Sequence, residues 1–172
     1  QKSDEIIMSS FETCPDLELF YFDFPGKAEA ARLICHCAGL PLKDTRLVFT
    51  MPNADMYSHV LFGMIEDFVG AHDNAYAFES LGQLRYFSCI AQVDAVVGNS
   101  SSGIGEVPTF FKATVNIGDR QKGRMKAASV IDCAPIAQEI AAAIAKVYEP
   151  EFQAALKSIV SPYGEGGAVE KI

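Results

Sequence analysis

The chain has 172 residues, 49% of them hydrophobic, which is typical of one globular domain or slightly more than one. Its 22 acidic and 14 basic residues give a formal net charge of −8. This acidic balance argues against nucleic acid and against an anionic membrane surface as partners. We expect no membrane span, because no apolar run is long enough. We also expect no signal peptide, although Gln1 rather than Met stands first.

The N-terminal region contains one predicted strand and one predicted helix. Residues 1–16 are polar and mixed, as in a loose terminus. Residues 17–22 are apolar and aromatic and predict a short strand, which Pro25-Gly26 ends. Apolar residues at helical spacing predict a helix over 28–38, with Gly39 as its stop.

From residue 47 onward, strands and helices alternate. The predicted strands are 47–50, 76–78, 95–97, 113–117 and 130–132, and the predicted helices are 60–69, 84–91, 136–147 and 151–159. Such alternation predicts an α/β fold, in which helical crossovers connect the strands of a parallel sheet. A turn-rich tail follows at 162–167.

The five cysteines are scattered along the chain, at positions 14, 35, 37, 89 and 133. Their odd number indicates no disulfide framework, so we expect a reducing compartment, the cytoplasm. The triplet Cys35-His36-Cys37 carries potential metal ligands. On a helix, however, Cys35 and Cys37 point to different faces, and no second ligand pair follows. We therefore predict neither a metal nor a cofactor.

Small hydroxyl and glycine residues follow the predicted strand 95–97. They are Ser100, Ser101, Ser102 and Gly103. Such a turn lets backbone N–H groups approach a ligand closely, and a helix that begins there would favour negative charge. This pattern is typical of a phosphate site, whereas Glu106 could accept hydrogen bonds from a sugar diol. The alternative is an ordinary serine N-cap.

Four basic residues follow the next predicted strand, within 116–126. They are Arg120, Lys122, Arg124 and Lys126. The ends of neighbouring strands in an open parallel sheet can point into one crevice, so this run and the serine turn could face the same anion. Arginine suits phosphate because its planar fork binds two oxygens at once. The alternative is a solvated basic loop.

Five motifs over residues 47–172 resemble the C-terminal domain of the hydrolysing UDP-N-acetylglucosamine 2-epimerases, in the branch of bacterial sialic-acid and legionaminic-acid biosynthesis. They are 49–55 (FTMPNAD), 80–86 (SLGQLRY), 97–103 (VGNSSSG), 115–124 (VNIGDRQKGR) and 162–164 (PYG). The resemblance implies a Rossmann-like domain that forms half of a glycosyltransferase-B-like architecture. It also implies UDP in the cleft between the two halves.

The resemblance also implies roles for individual residues. The diphosphate site corresponds to Ser100 and Ser101, within the turn that continues through Ser102 and Gly103. Glu106 corresponds to the carboxylate that binds the ribose hydroxyls.

Four further positions match the family's UDP site. Leu81 and Tyr86 correspond to the uracil pocket, Arg120 to the arginine of the basic loop, and Asn53 to the asparagine of a substrate-facing loop. From the residues alone, Tyr86 would be a core aromatic and Asn53 a turn residue.

The sequence departs from the family pattern in three ways. Residues 56–59 replace polar and glycine residues, and Gly105 replaces a larger residue. The family's N-terminal domain, which supplies the acid and base carboxylates, has no counterpart here. We therefore assign no catalytic residue and expect a UDP-binding half with little or no turnover.

The segment 17–46 resembles the opening strand and helix of a glutathione transferase, through the motif 21–33 (YFDFPGKAEAARL). Tyr21 corresponds to the tyrosine that stabilises the glutathione thiolate. The cis-proline loop and the Glu/Gln-Ser pair that should follow do not appear in the required order. We therefore expect Tyr21 to be a packed aromatic, and we divide the chain into 1–46 and 47–172.

The function that the resemblance implies is conversion of UDP-N-acetylglucosamine to N-acetylmannosamine and UDP. The expected partner is a UDP-sugar, with a homo-oligomer or an epimerase partner chain as further possibilities. Two alternatives stay open: a glutathione transferase-like protein, and a non-catalytic module that pairs with a full-length epimerase.

Overall fold

The computed structural model describes residues 18–20, 45–50 and 58–164. The strands are β1 (Glu18–Phe20), β2 (Leu47–Thr50), β3 (Ala75–Phe78), β4 (Ala95–Gly98), β5 (Ala113–Ile117) and β6 (Val130–Cys133). The helices are α1 (Ser58–Ala71), α2 (Gly82–Gln92), α3 (Ser102–Gly105), a 3-10 helix (Val107–Phe110), α4 (Ala137–Val147) and α5 (Pro150–Leu156). The predicted helix 28–38, Tyr21 and Asn53 lie outside the described residues.

The six strands form one parallel sheet in the order β3-β2-β1-β4-β5-β6. This confirms the predicted α/β class. The chain runs outward from β1 in one direction through β2 and β3, and in the other through β4, β5 and β6. The order is that of Rossmann folds, in which ligands bind at the carboxyl ends of the strands, where the direction of winding reverses.

The inner strands are apolar because helices cover both faces of the sheet. All four residues of β2 and all five of β5 are buried. A strand buried on both faces reads as a near-continuous hydrophobic run, as β2 does up to Thr50, whereas β5 buries the polar residues Thr114 and Asn116 among its apolar ones. The opening strand β1 pairs with β2 on one side and with β4 on the other. The sheet therefore contains strands from both sides of the predicted boundary between residues 46 and 47. The division of the chain into two regions at this boundary stays a prediction.

Two apolar clusters pack against the sheet, one on each face. The first includes Phe49 and Ile65 together with the buried side of α4, and the rings of Phe49 and Phe68 meet edge to face at 5.8 Å. On α4, Ile140, Ala143, Ile144 and Val147 are buried at helical spacing. The second cluster packs α2 and the 3-10 helix against β2 and β4.

The helix predicted to begin at the serines is a single turn, Ser102–Gly105. The 3-10 helix follows at once, and Pro108 cannot supply the N–H that a longer α-helix would need. The chain then leaves through Phe111, whose φ of 57° is left-handed. Because the helix is so short, its dipole is small, and any anion site here must depend on individual N–H groups and hydroxyls.

Two described cysteines, Cys89 and Cys133, are free thiols. Burial raises the pKa of the Cys89 thiol from 9.0 to about 12. Burial also raises the pKa of Cys133 to about 11, with further contributions from the negative charges of Glu139 and Asp132. Both thiols are therefore protonated in the folded chain at neutral pH.

We expect a pH dependence of stability from the Cys89 thiol. In the unfolded chain the thiol ionises near pH 9.0, whereas the folded state holds it protonated to about pH 12. Its contribution is complete below pH 9 and is lost as the pH rises through this window. The free energy of unfolding of the wild type should fall faster above pH 9 than that of Cys89→Ala, by up to about 1.4 kcal/mol per pH unit. Urea titrations at several pH values measure this, and parallel curves throughout would contradict it.

Candidate functional site

A cavity of about 410 Å³ opens at the carboxyl edge of the sheet. Its walls come from the end of β2 at Thr50, the loop 79–83 after β3, and Tyr86 and Phe87 of α2. The wall on the β4 side is formed by Ser102 and Glu106. Because β1 and β4 flank the point where the sheet reverses its winding, the cavity lies where this fold places ligands.

The cavity walls combine apolar, neutral polar and acidic residues. The described residues that line it include the carboxylates Glu79 and Glu106 and no lysine or arginine. Tyr86 and Phe87 contribute aromatic surface, and Leu81 is buried against the same cluster as α2. Such walls suit a heterocycle and a hydroxyl-rich group, because carboxylates accept hydrogen bonds from hydroxyls and repel phosphates. The anionic part of a ligand would therefore lie beside this cavity, not in it.

The serine turn is ordered by its own hydroxyl groups. The Ser102 N–H donates to Ser100 Oγ at 3.3 Å, and the Ser102 and Tyr86 hydroxyls share a hydrogen bond at 2.7 Å. Ser101 is exposed, and its carbonyl accepts from the Ile104 and Gly105 N–H groups. Ser102 therefore faces the cavity, and Ser101 presents its hydroxyl to solvent next to it.

Gly103 is required by close packing against β5. A Cβ atom at Gly103 would lie 2.7 Å from Thr114 Cγ2, closer than carbon atoms normally approach. The buried hydroxyl of Thr114 also donates to the Gly103 carbonyl at 2.6 Å. The sequence suggested Gly103 for approach to a phosphate, and the structure adds a packing reason for it.

The basic loop 118–126 follows β5, beside the serine turn. It leaves β5 through Gly118, whose φ is 76° and whose N–H donates to the Cys133 carbonyl at 2.9 Å. In the middle of the loop, the Gln121 amide donates to the Asn99 carbonyl at 2.7 Å. Near its end, the Tyr163 hydroxyl donates to the Met125 carbonyl at 3.0 Å. The basic loop is thus held next to the start of the serine turn, and the anion that both could face stays a prediction.

The four cations of this loop have different surroundings. Lys126 Nζ contacts both carboxylate oxygens of Asp132, at 2.7 and 2.8 Å, and Asn116 Nδ2 donates to the same carboxylate at 2.7 Å. The positive charge of Lys126 is therefore paired with the Asp132 carboxylate. Arg120, Lys122 and Arg124 are exposed. The predicted role falls on Arg120, which directly precedes the residue that contacts the serine turn.

The predicted site residues separate into three groups. Leu81, Tyr86, Ser102 and Glu106 line the cavity. Ser100, Ser101 and Arg120 lie on the two loops beside it, and Gly103 packs behind the turn. Asn53 is outside the described residues. Their roles toward a ligand stay predictions.

Sequence reasoning missed Thr50, Glu79 and Phe87, which line the cavity, and Gln121, which links the loops. Each lies within or next to a motif that was recognised, so their nearness to the site was visible but their contacts were not. No cluster of three metal ligands occurs among the described residues. Within the same part of the chain, no helix combines the length and apolarity needed to cross a membrane.

A family model described as UDP-N-acetylglucosamine 2-epimerase matches residues 26–172. The chain belongs to this family. Among curated relatives, GDP/UDP-N,N'-diacetylbacillosamine 2-epimerase (hydrolyzing) of Campylobacter jejuni is 39% identical over 92 residues, which are 53% of this chain and 24% of the relative. Polysialic acid biosynthesis protein P7 of Escherichia coli is 35% identical over 125 residues, 71% of this chain and 31% of the relative.

Solved structures of the family share the fold. A UDP co-structure of S. aureus MnaA has a TM-score of 0.75 at 16% identity, and covers 96% of this chain and 45% of its own. The structure of UDP-GlcNAc 2-epimerase from Neisseria meningitidis bound to UDP-GlcNAc has a TM-score of 0.74 at 15% identity. The match covers 99% of this chain and 46% of the Neisseria chain. This chain thus spans less than half the length of these family members.

The family match also bears on the N-terminal segment. It begins at residue 26, inside the segment 17–46 that resembles a glutathione transferase. Nothing in these comparisons supports the transferase resemblance. β1 is instead an inner strand of the sheet shared with the rest of the chain.

Proposed function

We propose that this chain binds the UDP portion of a UDP-sugar and serves a hydrolysing 2-epimerase as its nucleotide-binding half. The observation that carries the proposal is the position of the serine turn. One side of the turn faces a cavity whose described walls carry two carboxylates and no cation, and a hydrogen bond from Gln121 joins the start of the turn to the basic loop. A nucleoside on one side and a diphosphate on the other fit this division of charge.

The uridine part would occupy the cavity. In this arrangement, Glu106 accepts hydrogen bonds from the ribose hydroxyls, and the uracil ring lies against the surface formed by Leu81, Tyr86 and Phe87. The hydrogen bond between the Tyr86 and Ser102 hydroxyls connects the base side of the cavity to the turn.

The diphosphate would lie between the two loops. Ser100 and Ser101 supply hydroxyls and backbone N–H groups, and Arg120 supplies a guanidinium. In the proposed reaction, a base removes the proton at C2 of the sugar and the C1–oxygen bond breaks. The electron pair of that bond leaves with UDP, and water then adds across the resulting double bond to give N-acetylmannosamine. Cations and hydroxyls placed at the diphosphate favour this departure electrostatically.

The acid and base groups would come from the rest of a full-length epimerase, in the same chain or in a partner chain. The relatives' names suggest a UDP-linked 2-acetamido sugar or its diacetylated counterpart as substrate, in sialic-acid-type biosynthesis. The free thiols of Cys89 and Cys133 suit a reducing compartment, the cytoplasm.

Calorimetric titration with UDP tests the proposal, with glutathione as a parallel titrant. We expect saturable UDP binding and none of glutathione. Glu106→Ala should weaken UDP binding by about 10- to 100-fold, the usual effect of losing hydrogen bonds to a charged group. It should also bring the affinity for 2′-deoxy-UDP close to that for UDP. Ser101→Ala should weaken UDP binding about fivefold, as expected for one neutral hydrogen bond.

The matched control is Glu151→Ala, which removes an equal charge from the exposed start of α5. It should leave UDP affinity unchanged. Absence of UDP binding by a folded chain would overturn the proposal. Formation of N-acetylmannosamine by the chain alone would overturn the assignment of acid and base to another domain.

A further inference from the structure

Gln121 is an almost fully buried polar residue in an otherwise exposed loop. Its side chain is 3% exposed, whereas Asp119, Arg120 and Lys122 around it are exposed. Its Nε2 donates to the backbone carbonyl of Asn99, the first residue after β4, at 2.7 Å. Asn99 is itself 5% exposed. The bond therefore runs through the interior and joins the basic loop to the start of the serine turn.

Stability alone does not account for this amide. Gln121 Oε1 is buried and has no hydrogen-bond partner among the described residues. A buried acceptor left without a donor costs free energy, and an apolar side chain of similar shape would remove this cost at Oε1 but would leave the Asn99 carbonyl without its Gln121 donor. What such a side chain could not do is hold the loop to the Asn99 carbonyl.

Other hydrogen bonds hold the two ends of the basic loop. Gly118 is bonded to the end of β6, and Met125 to Tyr163 near the C-terminal end of the described residues. Between these points, the Arg124 N–H turns back to the Gln121 carbonyl at 3.4 Å, and the Lys122 N–H to Asp119 at 3.0 Å. Gln121 thus sets how closely the middle of the loop approaches the turn.

We propose that Gln121 is a positioning residue that fixes the spacing between the serine turn and Arg120. This inference rests on the proposed binding of UDP. The spacing matters for a ligand that contacts both loops at once, which a diphosphate does. It does not matter for a nucleoside held in the cavity alone, because Gln121 does not line the cavity. Loss of the amide should therefore weaken binding of UDP and leave binding of uridine unchanged.

The test compares Gln121→Met with the wild type. Methionine has a similar length and shape and no N–H donor. We expect UDP affinity, measured by calorimetry, to fall about tenfold through misplacement of the loop. We expect uridine affinity, measured by ligand-observed NMR, to stay the same. Hydrogen exchange of amides 118–124 in the unliganded chain should become faster.

Gln153→Met is the control for loss of an amide donor, at a residue that is exposed rather than buried. Gln153 Nε2 also donates to a backbone carbonyl, that of Val147, at 2.6 Å, but it joins α4 to α5 away from the cavity. It should lower the melting temperature without changing either affinity. Gln121→Leu is a second variant in case the first does not fold, because leucine also lacks a donor for the Asn99 carbonyl and adds no buried charge.

Three results would count against the inference. Equal losses of UDP and uridine affinity would show a general structural role, and unchanged UDP affinity would show that the spacing is set elsewhere. Unchanged hydrogen exchange in 118–124 would show that the amide does not restrain the loop. Failure of the wild type to bind UDP at all would instead overturn the proposed function, and this inference with it.

Discussion

Gly103→Ala is expected to lower the free energy of unfolding by about 1–3 kcal/mol, the usual cost of forcing one extra methyl group into a packed interior. The new Cβ would lie 2.7 Å from Thr114 Cγ2 on β5, an inner strand that is buried along its whole length. Relief requires the serine turn to move away from the strand. That movement would also stretch the 2.6 Å hydrogen bond from Thr114 Oγ1 to the Gly103 carbonyl. Chemical denaturation of the two proteins measures the difference.

The double variant Gly103→Ala/Thr114→Ser separates steric clash from other effects. Serine lacks the methyl group that the new Cβ would meet and keeps the hydroxyl that donates to residue 103. Gly103→Ala should therefore cost much less in a Thr114→Ser background than in the wild type. Gly105→Ala is the control on the same turn, because its Cβ would meet nothing within 4 Å. Equal costs in the two backgrounds would contradict the clash.

Arg120→Ala should weaken UDP binding by about 1.5–3 kcal/mol, the range for hydrogen bonds to charged groups, and leave uridine binding unchanged. The reason is the separation of charge at the site. The described walls of the cavity carry carboxylates and no cation, so the diphosphate depends on the loop 118–126. Within that loop the charge of Lys126 is engaged by Asp132. Affinity for UDP should also fall with rising salt, more steeply in the wild type than in the variant.

The control for Arg120→Ala is Lys157→Ala. It removes one positive charge from an exposed position at the end of α5, outside the site. If both variants weakened UDP binding equally, the effect would be one of net charge. If Arg120→Ala had no effect, the diphosphate would not be held by this loop through Arg120. Calorimetry with UDP and NMR titration with uridine distinguish these outcomes.

Local pattern was enough to predict most of the described elements. Buried inner strands appear as short runs rich in apolar residues, such as 47–49 and 95–97, and α4 shows the spacing of its buried face. Strands 47–50 and 113–117 matched at both ends, whereas other ends differed by up to three residues, because caps and frayed turns determine them more than hydrophobicity does. The exact end of the short helix after the serines was not predictable from spacing. It depends on Pro108, and on the packing of Gly103 against a strand that comes later in the chain.

Local sequence pattern predicted only part of the candidate site. Ser102 and Glu106 were suggested by composition, since hydroxyls, glycine and a carboxylate after a strand are a local signal. Thr50 and Glu79 line the cavity because β2 lies beside β1 and β3 lies beside β2 in the sheet, and local residue spacing does not reveal the order of the strands. Gln121 looked like one more polar residue of a basic loop. The burial of Gln121 and its hydrogen bond to Asn99 depend on the packing of the basic loop against the serine turn. A single sequence does not reveal such packing.

The place of β1 between β2 and β4 has a consequence for how this chain is assembled. During synthesis β1 emerges first, yet its second neighbour, β4, follows only after β2, α1, β3 and α2. Until then the growing sheet keeps an open edge at β1, with unpaired N–H and C=O groups that other chains could join. The cavity gains its wall on the β4 side only when that edge closes, because Ser102 and Glu106 follow β4. A shortened chain without residues 18–20 would retain the serine turn and the basic loop, but it would leave β2 and β4 with no strand between them.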